Sequence, residues 1–559
     1  MLSRLSRFAA LAVALAIPAA ALAQDKKTDA KKSDGPSVLV RVQSVNDLIK
    51  TVEYIGTLLP EDPAEKVKQG AEFVKSLIDE KKGIEGIDVK HPIGLYATLT
   101  PELTTSLVVG LIPVADWDTV IAALKNRAML EIKEKDGLYE TTPPQSPVTI
   151  YFRYANDYAY VTANDPENIN PKNLPKPAEV LGGKAEHLIS ASIRIDRLPD
   201  QMKKMALGTI ENKLAELKEQ AIPDETKAIK AFKEKFIDEV VANLKSGLDG
   251  GEEVALRLNV DTQGSEVALE LELKGASGSK LAKDIVSIRE HKSVVGGAIS
   301  PKDAAMSVNI SVALGAALKE LWPPVIDDVL ELVKKRINIP GEVQTKTEPL
   351  VKAVLPSFKA GELDVGGALH GPDKDDKYTA VVGVKVVDGK KIEEAVKEIV
   401  KKELPPEASG LFELDAEKLD GGAMLHVVKV GQFMDEKGQK LLGKSDLYVM
   451  FRDDMLLAAI GPSAKETLKK AAASKPADVG VFQAQAALSK LVPVIGDDAG
   501  KLAAAKKAAE KVFGKGAAGA DTIRFAVEGG DSLKVKIAAK GKAIQFLAEL
   551  GTPRLTKDQ

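Results

Sequence analysis

Apolar residues recur along the chain with two periods, and the switches between them lay out its elements. Alternation from Ser37 to Val42 predicts a strand, and Ser44 with Asp47 forms a capping box for a helix whose Val45, Leu48, Ile49, Val52 and Ile55 share one stripe. A second helix starts at Asp62-Pro63, carries Val67, Ala71, Val74, Leu77 and Ile78, and stops at Gly83. The runs Ile93 to Leu99 and Leu107 to Val114 read as strands, with a helix from Asp116 to Leu124 after them. Met129 to Tyr139 is broken by Asp136-Gly137, a dipeptide that favours a tight hairpin. Further strands are expected over Val148 to Arg153, Tyr158 to Thr162, Leu188 to Ile195, Val254 to Val260 and Val267 to Leu273. Two charged amphipathic helices, from about Asp200 to Leu217 and from Pro223 to Leu244, interrupt them, and a short helix from Ser279 to Ile288 follows.

The same order then returns. Val40-Arg41-Val42 is answered by Val308-Asn309-Ile310, Val108-Val109-Gly110-Leu111 by Val381-Val382-Gly383-Val384, and Asp136-Gly137 by Asp420-Gly421. Phe152-Arg153 meets Phe451-Arg452, Arg257 meets Arg524, and Lys274-Gly275 meets Lys540-Gly541, all in unbroken order. Each likeness is short; their collinearity is the signal of a tandem repeat of about 265 to 270 residues. The spacing widens before Arg452 and closes again by Arg524, so the second half carries an insertion early and lacks a counterpart of the helical pair from Asp200 to Leu244. Strands arrive as neighbouring hairpins with helices between groups. The expected fold class is therefore α+β: two tandemly duplicated halves of antiparallel sheet with helices packed on one face, over residues 37–295 and 300–551. The pattern leaves open whether the halves share one continuous sheet.

The N-terminus sets the compartment. Arg4 and Arg7, the apolar stretch Phe8 to Ile17 and the Ala21-Leu22-Ala23 site before Gln24 compose a signal peptide over residues 1–23. The apolar run is shorter than the roughly 20 residues of a membrane span. Gln24 rather than Cys follows the cut, so the chain is not expected to be a lipoprotein, and the mature protein is expected to be periplasmic or extracellular with no transmembrane segment. Residues 24–36 alternate Asp, Lys and Thr without an apolar period and read as a disordered leader; residues 552–559 form a tail.

Composition narrows the chemistry. The 559 residues carry a formal charge of -3, with 78 Lys plus Arg against 81 Asp plus Glu mixed throughout, so no nucleic-acid footprint arises. Cysteine is absent, which excludes disulfides and thiolate metal sites. With 13 Phe, 9 Tyr and 2 Trp, stacking platforms for sugars or single strands are scarce, and Trp322, on the stripe Leu318, Leu321, Val325, Val329 and Leu332, is expected in the core.

Several motifs are present in the wrong context. Gly438-Gln439-Lys440-Leu441-Leu442-Gly443-Lys444-Ser445 matches the phosphate-binding loop, but that chemistry needs a strand before it and a helix after it, whereas polar Met434 to Lys437 precedes and strand-like Leu447 to Phe451 follows. A charged surface loop is expected instead. Gly514-Lys515-Gly516-Ala517-Ala518-Gly519 fits the dinucleotide fingerprint but leads into a strand, so it reads as a helix stop. Ser277-Gly278-Ser279-Lys280 lacks the companion triplets of penicillin-recognising enzymes and reads as a capped helix start. His91, His187, His291, His370 and His426 are scattered singly, without zinc-ligand spacing, and Asp373, Asp375 and Asp376 lack a calcium-loop frame. No catalytic, cofactor-binding or metal-binding residue is assigned, and no cofactor is expected.

The run Gly86-Ile87-Asp88-Val89-Lys90-His91-Pro92-Ile93-Gly94-Leu95-Tyr96, with the signal peptide and the repeated strand-helix order, resembles a group of uncharacterised secreted proteins widespread in planctomycete bacteria. The second half departs from that run at Leu363-Asp364-Val365-Gly366-Gly367. The resemblance implies an envelope location; it implies no activity, and no functional residues carry over. Two functional classes follow. The first is a non-catalytic exported scaffold or binding protein for a protein partner or for an apolar ligand held between sheet and helices, since Leu, Val, Ile and Ala dominate the inner faces. The alternative is a hydrolase of unrecognised family, which requires two carboxylates converging in a deep cleft with raised pKa values.

Overall fold

The computed structural model describes residues 35–551 apart from 80, 103–104, 127, 144–147, 183–186, 221, 223, 291, 338–340, 495–498, 515 and 518. The signal peptide, the leader up to residue 34, the tail 552–559 and His291 lie outside the described residues. Among the described residues no helix is long and apolar enough to cross a membrane.

Among the described residues twenty strands form one antiparallel sheet. In chain order they are β1 (Val38–Val42), β2 (Ile93–Thr98), β3 (Leu107–Pro113), β4 (Lys133–Lys135), β5 (Leu138–Thr141), β6 (Ile150–Ala155), β7 (Tyr158–Ala163), β8 (Ile189–Arg194), β9 (Gly251–Asp261) and β10 (Glu266–Gly275). They continue as β11 (Ala304–Ala313), β12 (Glu362–His370), β13 (Thr379–Lys385), β14 (Phe412–Lys418), β15 (Met424–Val428), β16 (Leu447–Phe451), β17 (Met455–Ile460), β18 (Phe482–Ala487), β19 (Thr522–Glu528) and β20 (Leu533–Lys540). The longer helices are α1 (Val45–Thr57), α2 (Glu61–Ser76), α3 (Trp117–Asn126), α4 (Asp200–Glu219), α5 (Lys227–Gly250), α6 (Lys280–Glu290), α7 (Ala316–Ile337) and α8 (Gly341–Lys359). After them come α9 (Gly389–Lys402), α10 (Glu436–Leu442), α11 (Ala464–Ala472), α12 (Ala499–Phe513) and α13 (Gly541–Gly551). The fold is mixed α+β, as the pattern predicts, and the Ser44 cap on α1 is formed: its Oγ accepts the Asp47 N–H at 3.0 Å.

Pairing fixes the spatial order. From one edge it runs β4-β5-β6-β7-β3-β2-β1-β8-β9-β10, and β10 then pairs with β20. Beyond it lie β19-β18-β11-β12-β13-β17-β16-β15-β14. The β10–β20 pair, the fusion line, divides this sheet into ten strands from residues 38–275 and ten from residues 304–540. The order met from each outer edge to the fusion line is the same.

Directly paired residues in antiparallel strands point to the same side, so the registers define two continuous faces. Leu95, Val108, Ile193, Leu256, Leu269, Leu271, Ile537, Met306, Leu363 and Val382 all fall on one of them, and every one is exposed. Over the middle of the sheet the opposite face is polar, with Ser190, Arg257, Glu270 and Glu272 against Lys534, Lys536, Arg524 and Gln485.

Helices cover both faces of the outer strands, which corrects the expectation of helices on one face. Val381, Leu457 and Ala459 pack with Val294, Val295 and Ile299 of the short helix Val294–Ala298 and its following residue, and with Leu468 and Ala471 of α11. Leu456 and Val384, on the other side of the same strands, pack with Leu350 and Val354 of α8 and Ile392 of α9. In the first half Val109, Leu111 and Tyr160 are fully buried against Ile169 and Leu181, while Trp117 of α3 stacks on Tyr154 at 5.2 Å on the opposite side. The cause is legible in β3 and β17, which are apolar throughout rather than alternating, the mark of a strand buried on both sides.

At the fusion line the polar face is an ion network. The Arg257 guanidinium contacts Glu272 and lies 3.6 Å from Glu270, whose side chains are 16% and 12% exposed, and Lys534 approaches both at 3.8 and 3.9 Å. Removing the guanidinium leaves two half-paired, nearly buried carboxylates together. Arg257→Gln is therefore expected to lower stability by about 2 to 3 kcal/mol, whereas Lys536→Gln, whose ammonium is exposed, changes it by less than about 0.5 kcal/mol. Urea midpoints of the two variants check this.

Candidate functional site

The apolar face becomes a site where helices arch over it. Val312 of β11, Leu363 of β12 and Val384 of β13 form a floor, and Trp322 of α7, Val354 and Phe358 of α8 and Phe236 of α5 form the roof of a cleft of about 320 Å³. Trp322, expected in the core, is instead half-buried in this roof. Its indole Nε1 donates to Phe358 O at 2.7 Å, and its ring lies 5.1 Å from Phe232, which in turn stacks near Phe236. α5 thus contributes Phe236 to a cleft whose floor lies beyond the β10–β20 seam. A second cleft of about 400 Å³ lies between α7 and α8 and shares Val354 and Phe358 with the first. A third, of about 290 Å³, lies between α1 and α2 and is lined by Leu48, Val52, Val67 and Val74. Volumes of this size and linings this apolar suit small apolar ligands.

One end of the first cleft is polar. Glu362 there accepts Lys319 Nζ on Oε1 at 2.8 Å and Lys385 Nζ on Oε2 at 2.7 Å. The Lys319 and Lys385 hydrogen bonds hold the Glu362 carboxyl down to about 2. Asp364, the other acid of the lining, lies on the same side of β12 as Glu362 and is hydrogen-bonded: its oxygens accept Ser293 Oγ at 2.6 Å and the Val294 N–H at 2.7 Å.

A second cluster brings together residues distant in sequence. Glu393 of α9, Asp415 of β14 and His426 of β15 place ligand atoms within 4.8 Å of one another, the only group of three or more metal-capable side chains among the described residues. Its chemistry does not fit a metal. Lys397 Nζ already lies 2.5 Å from both Glu393 and Asp415. His426 Nδ1 accepts the Asp415 N–H at 3.2 Å, which puts the ring proton on Nε2, the nitrogen facing Glu393 at 3.2 Å without hydrogen-bond alignment. A metal there would need that nitrogen bare. Burial pushes the His426 imidazole pKa down, so the ring stays neutral and serves as a buried strut.

The singled-out motifs resolve locally. Residues of the phosphate-loop match form α10, a helix rather than the expected loop, whose Gly438 N–H is capped by Asp435 Oδ1 at 2.7 Å; β16 follows, so no cradle of free N–H groups forms. Ser279 Oγ caps α6 by accepting the Ala282 N–H at 3.1 Å. Asp373 Oδ1 accepts the N–H groups of Asp375 and Lys377 and closes its own turn. His91 pairs with Asp88 at 2.7 Å and His187 with Asn259 at 2.6 Å, in separate places. The carboxyls of Asp79, Asp88, Asp116, Glu348, Glu362, Asp388 and Glu417 are all displaced downward from their ordinary pKa. A general acid needs the opposite shift.

No protein-family model, no curated protein and no solved structure matches the chain.

Glu362 makes the clamp pH-dependent. Its folded value lies below the roughly 4.3 of an unfolded glutamate, so the clamp stabilises the fold above about pH 4.3 and loses that contribution as pH falls towards about 2. Glu362→Gln is expected to be less stable at pH 7, by no more than about 1 kcal/mol given its exposure, with the two stability curves converging over that acid window. Urea unfolding from pH 7 to pH 2 measures the difference.

Proposed function

We propose that the chain is an exported, non-catalytic binding protein of the cell envelope that carries an apolar ligand between its sheet and its helical roof. The observation that carries this reading is the one-sided apolar face: every exposed large hydrophobic residue of the strands named above lies on the same side, and that side floors the cleft under Trp322 and Phe358. Exposed apolar area on this scale costs solubility, and proteins that keep it use it for binding. The signal-peptide pattern read over residues 1–23 supports a function outside the cytoplasm.

The reading includes a tandem duplication. It is supported by the matched strand order and by the register at the fusion line: Glu270 pairs with Lys536, 266 residues away, which is also the spacing of Lys274-Gly275 and Lys540-Gly541. A twofold axis through an antiparallel pair requires that equality. The register also revises three of the sequence likenesses. If Val40 answers Val308, pairing carries Leu95 to Gly367 and Gly110 to Val382, one residue off the Val-Val-Gly match, and carries Phe152 to Val449 and Arg257 to Ala526, each two residues off. On this reading α1–α2 and α7–α8 are equivalent hairpins, each with an apolar cleft.

Trp322 reports on the cleft directly. In a Trp117→Phe background, long-chain alcohols are expected to shift and enhance Trp322 emission, and Val312→Phe, which fills the floor, is expected to weaken binding about tenfold with unchanged circular dichroism. Unaltered emission with every apolar compound tested, together with no lipid in organic extracts of the purified protein, would overturn the carrier reading.

A further inference from the structure

We infer that the occupant of the Trp322 cleft is a single-chain amphiphile with a carboxylate head, its head held by Lys319 and Lys385 and its chain laid between α7 and α8; this rests on the carrier reading. The polar end of the cleft is already a carboxylate seat, because each oxygen of Glu362 takes one ammonium, at 2.8 and 2.7 Å. Each ammonium has three donors and spends one on Glu362, so two per lysine remain for a second carboxylate. The two ammoniums share the single carboxylate of Glu362; Asp364 keeps its charge, but its oxygens are taken by Ser293 Oγ and the Val294 N–H. The lysine side chains are 38% and 32% exposed, open enough to be reached and covered enough for the charge to matter.

The path for the chain is equally specific. From Lys319 the first cleft passes Trp322 and Phe358 into the second, which runs along Ile326, Val329 and Val333 of α7. The fourteen helical rises from Lys319 to Val333 span about 21 Å. Half the hydrocarbon core of a bilayer, the depth reached by one acyl chain, is roughly 15 Å. The path therefore takes one membrane-derived chain along its length. Val329 and Val333 are exposed and Phe358 is 60% exposed, so the chain would cover apolar surface that the protein leaves open.

The test titrates the full mature Trp117→Phe protein at pH 8 with hexadecanoate, methyl hexadecanoate and hexadecylamine, reading Trp322 emission. Hexadecanoate is expected to bind about tenfold more tightly than its methyl ester, and hexadecylamine more weakly than either. Lys385→Gln and Lys319→Gln should each bring acid and ester to within about threefold of one another, while Glu362→Gln, which frees both ammoniums, should widen the gap. Equal affinity for acid and ester, or an acid preference untouched by either lysine variant, would overturn the head-group assignment and leave the carrier standing. Silence of all three compounds would overturn both.

Discussion

The pairing of β10 with β20 is the constraint on which the rest of the molecule depends. Eight residue pairs, from Glu266↔Lys540 to Leu273↔Leu533, turn two ten-strand arrays into one sheet. The two sides of that seam are chemically opposite. Glu270 and Glu272 face Lys536 and Lys534 on the polar side, with Arg257 clamped between the acids, while Leu269 and Leu271 face Ile537 and Val535 on the other. Because side chains alternate strictly, a one-residue slip would bury the charges among leucines, so the seam has one register. Through that register the apolar faces of both halves become a single surface, and only then does a helix of one half roof a floor in the other.

That surface explains why the helices lie where they do. At the outer strands, where both faces are apolar, helices cover both. Over the middle, one face is charged and needs no cover, and the other is apolar but only partly roofed. The roof is made by α7 and α8, braced by Phe232 and Phe236 of α5, by the Thr226 hydroxyl on Asp328 and by Arg336 on Asp224. The helix that braces this roof, α5, comes from the other side of the β10–β20 seam.

Much of this was legible in the sequence. The hairpin at Asp136-Gly137, the Ser44 cap and the long helices α4 and α5 rest on local rules, and local rules hold there. The two-sided burial of the outer strands was written in the unbroken apolar runs of β3 and β17, but such runs fit a buried helix segment as well, so the signal is ambiguous. The site was illegible for a different reason. Lys319, Glu362 and Lys385 belong to three elements, and a lysine or a glutamate carries no spacing that marks it as a partner. Likewise Glu393, Asp415 and His426 meet only because β14 and β15 pair beside α9. The fusion line could not be read at all, since Glu270 and Lys536 are ordinary strand charges until the register puts them opposite.

The helices of the roof have a composition that suits a cover over a binding cleft. α7 contains Pro323 and Pro324, and α8 contains Pro349 and Pro356. Each proline removes a backbone donor and crowds the preceding turn, so these two helices hold fewer internal hydrogen bonds than their lengths allow. Trp322 sits immediately before the first pair, and its indole bond to Phe358 O ties the two weakened helices together at the entrance. Opening the roof there breaks that tie and the Lys359–Asp327 ion pair at 2.7 Å and bends helices already interrupted, whereas opening the outer layers would expose Val109, Leu111 and Leu457, which are fully buried. The proline-interrupted helices thus lie over an apolar floor, and a ligand entering between them works against fewer helical hydrogen bonds than an uninterrupted pair would set.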